Sequence, residues 1–152
     1  MAPLGRRLRS ERGAELVEFA LVMPILMVVL AGILDMGFLF KNYEVVTNAA
    51  REGARMASLP GWVEDDVKAR VRDYLAAGGL NAAVATTTVE QIVLVTDIAT
   101  GRTINGIKVA VTYPHSFMIL GPISQLVKGA AVTNDINLTA VATMRTEAAA
   151  GL

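Results

Sequence analysis

Between Phe19 and Leu34 the chain carries no charged side chain, and the apolar run opens at Leu16 and continues past Asp35 to Phe40. As a helix at about 1.5 Å per residue, residues 16–40 would be roughly 37 Å long, enough to cross a hydrocarbon core of about 30 Å. The rest of the chain takes its meaning from this segment. What precedes it is a basic leader, in which Arg6, Arg7, Arg9 and Arg12 stand against Glu11 alone. Arginines beside a membrane helix stay on the cytoplasmic side, which predicts an inside N-terminus and an outside C-terminus. A total of 152 residues leaves room for one compact domain besides the helix. The formal net charge of zero gives bulk attraction to nucleic acid no support. The absence of cysteine excludes a disulfide framework and thiolate metal sites.

An ordinary secretory signal also opens on a basic stretch, but its apolar region is shorter, about 7 to 15 residues, and a small-x-small cleavage site follows. Here the apolar run is longer and no Ala-x-Ala site closes it. A retained helix is the better reading, with residues 1–13 frayed in front of it. Pro24 lies inside the run and predicts a kink near Met23, which membrane helices tolerate. Asp35 reads as an interfacial residue reaching headgroups or water, favoured by the cost of deeper burial. A polar contact to a neighbouring helix is the sharper alternative.

Helical periodicity continues beyond the apolar run. Val46, Ala49, Ala50, Gly53, Ala54 and Ala57 form a small-residue face, while Lys41, Glu44, Arg51, Glu52 and Arg55 mark the wetter sides. The small face packs on the chain's own sheet or, alternatively, on another subunit. Pro60-Gly61 ends the helix near Leu59. Residues 62–77 predict a second helix, with Glu64, Asp65 and Asp66 in its first turn and an apolar stripe of Val63, Val67, Val71, Tyr74 and Leu75. Gly78-Gly79 supplies a left-handed stop.

The period then changes to two. Residues 87–96, 107–113 and 136–145 are strand candidates with one apolar face each. The first connection is either the loop at 97–103 or a tight hairpin at Asn105-Gly106, and the longer loop is preferred. The second, from Pro114 to Asp135, holds apolar Phe117 to Leu120 and a short helix through Lys128. The tail from Ala148 is expected to fray. An amphipathic sheet must be covered by the two helices, so the fold class is α+β: a long N-terminal transmembrane helix leading into a small head with a second helix and a roughly three-stranded antiparallel sheet. The expected division is a basic leader at 1–13, the long helix at 14–59 and the head at 60–152.

The segment Arg12-Gly13-Ala14-Glu15-Leu16-Val17-Glu18-Phe19, running into an apolar helix, resembles the class III signal of type IV pilins. The longer pattern is similar to the TadE-like family of minor pilins, or pseudopilins. It comprises Arg12-Gly13, Val17-Glu18-Phe19-Ala20-Leu21, Pro24 and then Ala49-Ala50-Arg51-Glu52-Gly53-Ala54-Arg55. Flp major pilins carry tyrosine where Phe19 stands and are much shorter. The resemblance spans residues 12–58, with only the order of strands matching beyond. It does not separate TadE from TadF, while TadG-type relatives are usually longer.

The resemblance implies cleavage by a prepilin peptidase between Gly13 and Ala14. It also implies an assembly contact through Glu18, the fifth residue of the cut chain, whose family counterpart pairs with the new amine of a subunit. Burying both charges together offsets the cost of burying either. Further implications are assembly with the tight-adherence (Tad/Flp) pilus machinery and roles in adhesion or biofilm formation. Taken alone, Glu15 and Glu18 are accounted for as interfacial carboxylates at a helix start. The full pattern before an apolar run favours the pilin-like role.

Catalytic chemistry finds no foothold. His115, the one histidine, reads as exposed in a proline-bounded loop without acid–base partners. Consecutive Glu64, Asp65 and Asp66 point in different directions around a helix and suit capping better than a metal. The glycines at 101, 106, 121 and 129 match no phosphate loop. Phe117 to Leu120 is either a patch for a membrane or partner, or a buried segment; the residues leave both open.

The expected function is therefore a pilin-like structural subunit, not an enzyme, with no cofactor, no small-molecule substrate and no nucleic acid. Its expected partners are the inner membrane, the prepilin peptidase, other pilin-like subunits and the Tad machinery. Its expected location is the bacterial inner membrane, with incorporation into a pilus left open. The alternative is an uncleaved signal-anchored protein with an extracytoplasmic binding head.

Overall fold

A computed structural model describes residues 5–96, 103–122 and 135–146. The elements run α1 (Gly5–Ala57), α2 (Glu64–Ala77), a single 3-10 turn (Ala82–Val84), β1 (Thr86–Thr96), β2 (Thr103–Ser116) and β3 (Asp135–Arg145). This is the α+β layout expected from the two periodicities. By packing, the described residues divide into a unit of 5–37 with 118–122 and a unit of 38–96, 103–117 and 135–146.

The first unit is dominated by the apolar part of α1. The helix opens at Gly5, earlier than the expected start at Ala14. Pro3 lies just before it, and Arg6, Arg7, Leu8, Arg9 and Glu11 are good helix formers, so residues 5–13 extend the helix instead of fraying. Pro24 sits inside α1 without ending it. Its missing N–H removes one rung of the ladder, and the flanking apolar residues keep helical geometry on both sides.

The second unit is a three-stranded antiparallel meander in the order β1-β2-β3, packed against helices. Register explains its single apolar face. Ile107, Val109, Val111 and Tyr113 stand opposite Met144, Ala142, Ala140 and Leu138. Val89 of β1 stands opposite Val109. Because side chains alternate, all these residues point to one side. That side meets Val46, Ala49, Ala50, Ala54 and Ala57 of α1 and Val67, Val71 and Leu75 of α2 in one core. The small-residue face of α1 is therefore filled by the chain's own residues.

Gly53 shows why the face is small. A Cβ there would lie 2.6 Å from Val71 Cγ2 and 3.3 Å from Val109 Cγ1, so the backbone itself is the contact surface. α1 ends at Ala57, two residues before Leu59, and Gly61 adopts φ +76° beyond it. α2 starts at Glu64, with Val63 as an extended N-cap that offers no side-chain acceptor. The left-handed stop falls on Gly79, at φ +79°, while Gly78 stays at φ −77°.

The strands bear out the preferred first connection and correct the second. Asn105 and Gly106 do not turn: they pair with Val93 and Ile92 inside β2, and Thr96 pairs with Thr103. The preferred longer connection thus spans residues 97–102, which lie outside the described residues. Gly106 answers a bulge instead. The register shifts between Val93 and Val95, and the extra residue, Leu94, crowds the position where a Gly106 Cβ would stand, at 2.6 Å.

The correction concerns Pro114, which lies within β2 and not in the second connection. β2 pairs with β1 only as far as Thr112, opposite Thr86, and beyond it only with β3. Pro114 therefore occupies a locally unpaired edge, where a missing N–H costs the ladder nothing. Residues 120–122 form a helical turn. The remainder of the expected short helix through Lys128, and the tail from Ala148, lie outside the described residues.

Candidate functional site

The residues with a stated role in the sequence lie along α1. Gly13, Ala14, Glu15 and Glu18 are all exposed, and a Cβ at Gly13 would meet nothing within 4 Å. The bond between Gly13 and Ala14 is part of a continuous helix. Ala14 and Glu18 are four apart, so they lie on the same side of it. The apolar side chains that follow are open all round the helix: Leu16 is 69 % exposed, Leu26 57 % and Phe40 66 %. In length and composition α1, over Gly13–Ala57, suffices to cross a membrane. Its most apolar 18-residue window buries only 6 % of itself in its own chain, which is the character of a membrane span.

Asp35 does not reach headgroups or water, as the favoured sequence reading has it. It is 1 % exposed, and its partners are backbone groups that lead into the helical turn at 120–122. Its carboxylate accepts the backbone N–H groups of Met118 at 3.2 Å, Ile119 at 3.1 Å from each oxygen and Leu120 at 2.7 Å. One turn earlier, Ala31 is also buried, on the same side of the helix. Nothing in the sequence forecasts this, because the partners are main-chain groups more than eighty residues away. The one available hint is an acid near the end of an apolar run, which needs donors from somewhere.

His115 is likewise not the exposed loop residue expected. It lies in β2, is 5 % exposed and takes the Asn42 side-chain N–H on Nδ1 at 2.9 Å. Its ring meets Phe117 edge-on, with centroids 5.6 Å apart, and Nε2 is buried without a hydrogen-bond partner among the described residues. The Asn42 amide nitrogen donates, so Nδ1 is the acceptor in this contact. The extension of β2 past Pro114 is what turns this residue inward.

The second half of the recognised pattern is a structural joint. Glu52 receives Arg55 at 2.9 and 2.8 Å and Arg70 of α2 at 3.1 and 3.0 Å. The hydrogen bond from Arg55 is the largest influence and, with the Arg70 contact and both positive charges, holds the Glu52 carboxyl down at about 2 against a desolvation that works the other way. The joint ties α1 to α2 beside Gly53. In the acidic first turn of α2, Glu64 pairs with Lys68 at 2.7 Å, one helical turn on. Among the described residues no group of three or more His, Asp or Glu is placed to hold a metal ion.

Comparison with known families picks out the same stretch. Residues 13–55 match the family model described as TadE-like protein. The match starts on Gly13, runs the length of the apolar helix and ends on Arg55 in the Glu52 joint. No curated protein and no solved structure gives a significant match. The matched segment contains the apolar helix that is long enough to cross a membrane.

Proposed function

We propose that the chain is a minor pilin or pseudopilin of the tight-adherence pilus, a structural subunit and not an enzyme. The observation that carries this reading is the coincidence at Gly13: the TadE-like match opens on the glycine after which a prepilin peptidase would cut. Residues 16–40 span the inner membrane, with the arginine-rich N-terminus inside and the residues after the span outside. Cleavage releases the leader and creates an amine on Ala14. Glu18 then pairs with that amine on a neighbouring subunit, inside a bundle of apolar helices where an unpaired charge would be costly. Adhesion and biofilm formation follow from assembly with the pilus machinery.

Helix continuity across Gly13-Ala14 bears on the step itself. A peptidase needs an extended scissile bond, so the helix has to open locally. Glycine in a helix interior lowers that barrier, being less favourable there than alanine by about 1 kcal/mol. The same continuity favours a second reading, an uncleaved signal anchor with residues 5–13 kept as part of α1.

The N-terminal residue and intact mass of the protein, from cells with and without the peptidase, separate the two. A chain beginning at Ala14 only when the peptidase is present supports the pilin-like route. A chain that keeps its leader in both leaves the signal anchor. Gly13→Val is expected to insert normally but resist cutting, so that on a gel it keeps the precursor's mobility; a mutant band that matches the mature wild-type protein would count against the assigned site. Glu18→Ala is expected to be processed and yet to join assemblies poorly. Normal incorporation of that variant would reduce Glu18 to an interfacial carboxylate.

A further inference from the structure

An acid buried in the outer part of an apolar helix needs hydrogen-bond donors, and those of Asp35 are specific. The Asp35 carboxylate is saturated by three consecutive backbone N–H groups, those of Met118, Ile119 and Leu120. Such charge-assisted bonds to main chain fix the position of the turn that donates them. The turn is wholly uncharged from Phe117 through Pro122, and its leading side chain, Met118, is 68 % exposed. At the same level, on the sides turned away from the Asp35 contact, α1 presents Leu30 at 52 %, Ile33 at 63 % and Leu34 at 46 % exposure. An open methionine thus stands at the level of open leucines and isoleucine, on a helix whose own apolar faces are uncovered.

We propose that residues 118–120 form a second membrane contact, held by Asp35 at the lipid–water boundary on the far side of the span, with Met118 entering the lipid. This rests on the reading that residues 16–40 cross the membrane. Counted from Leu16, Asp35 lies about 28 Å along a straight helix, close to the far edge of a hydrocarbon core of about 30 Å. Lipid is the occupant that fits. The exposed methionine of the turn stands at the same level as the exposed apolar side chains of the helix, and residues 117–122 carry no charge. The clamp also resolves the cost of an acid at this depth, because backbone donors replace the water that the carboxylate would otherwise need. Asp35 is in this view a positioning residue: it holds the turn and does not itself meet the lipid.

The absence of native cysteine makes the test direct. Single replacements Leu26→Cys, Met118→Cys and Asp73→Cys, each carrying a nitroxide, are placed in full-length protein in phosphatidylethanolamine/phosphatidylglycerol vesicles. Accessibility to oxygen, which concentrates in lipid, is compared with accessibility to a water-soluble nickel chelate. Leu26 tests the span alone: a Leu26 label open to nickel would sink the membrane reading itself. With Leu26 in lipid, the Met118 label is expected to favour oxygen over nickel, unlike the exposed Asp73 reference on α2. A Met118 label as open to nickel as Asp73 would overturn the second contact while leaving the span intact. Shielding from both reagents would mean that protein, such as a second copy of this chain, covers Met118, and would overturn lipid as the occupant. Adding Asp35→Ala is expected to raise nickel access at Met118 several-fold without moving Leu26. Unchanged Met118 shielding in that double variant would remove Asp35 from the proposal.

Discussion

Glu52 has a pH signature that can be worked out from its contacts. Its carboxyl titrates near 2 in the folded chain, against an ordinary value of 4.5. Above that ordinary value it is ionised whether the chain is folded or not, and the joint with Arg55 and Arg70 contributes in full. As pH falls, the unfolded chain takes up the proton first, so stability drains away between about pH 4.5 and pH 2. Because the Arg55 and Arg70 side chains are 61 % and 50 % exposed, solvent screens the joint and about 1 kcal/mol is a fair size for the loss. Glu52→Gln is expected to lower the melting temperature at pH 7 and to remove this part of the acid dependence. Parallel melting curves for the two proteins across that window would contradict the assignment. Glu52 was legible in advance as part of a recognisable run of residues. Asp35 and His115 were not, because one is satisfied by main-chain groups and the other is buried by the extension of a strand. Neither kind of partner has a side-chain pattern that could be read from the chain.

At the scale of the element, periodicity carried most of the information, since burial on one face leaves a mark every second or every third to fourth residue. Of the stripe Val63, Val67, Val71, Tyr74 and Leu75, residues 67, 71 and 75 reach the core while Val63 and Tyr74 stay exposed, and the alternating Ile107, Val109 and Val111 all reach it. Punctuation was less legible. Asn105-Gly106 has the composition of a tight turn, yet Gly106 serves a bulge, where what matters is the space taken by Leu94 on the neighbouring strand. Pro114 has the look of a strand breaker, but its position is harmless once β1 has ended. The same logic makes Gly53 the most sensitive point of α1. Gly53→Ala improves intrinsic helix propensity by about 1 kcal/mol, but its Cβ would press on Val71 and Val109 and force two elements apart, a cost of about 1–3 kcal/mol. The net expectation is destabilisation, measured as a lower denaturation midpoint. Ala54→Gly next door leaves a small void and gives up helix propensity without any clash. A Gly53→Ala protein more stable than wild type would show that α2 yields freely and that the close approach is not what the glycine serves.

For the whole molecule, the two halves of α1 do different work, and this predicts where the chain can be cut. The division expected from sequence began the head at residue 60, after the long helix. The packing argues for an earlier boundary. Val46, Ala49, Ala50, Ala54 and Ala57 are completely buried against α2 and the sheet, so the core of the second unit is incomplete without them. A fragment of residues 60–152 would expose Ile107, Val109 and Val111 to water along one face of the sheet. At about 1.5–3 kcal/mol per large apolar side chain left unburied, that loss exceeds what a small domain has to spare. A fragment of residues 38–152 keeps the whole core and sheds the run from Leu16 to Leu34. We therefore expect 38–152 to be obtained without detergent and to unfold in one cooperative transition, and 60–152 to aggregate or give no transition by circular dichroism. If 60–152 melts as cooperatively as 38–152, the small-residue face of α1 is dispensable to the fold. Its conspicuous run of alanine and glycine would then have to be explained by contact with another subunit, the alternative that the sequence left open.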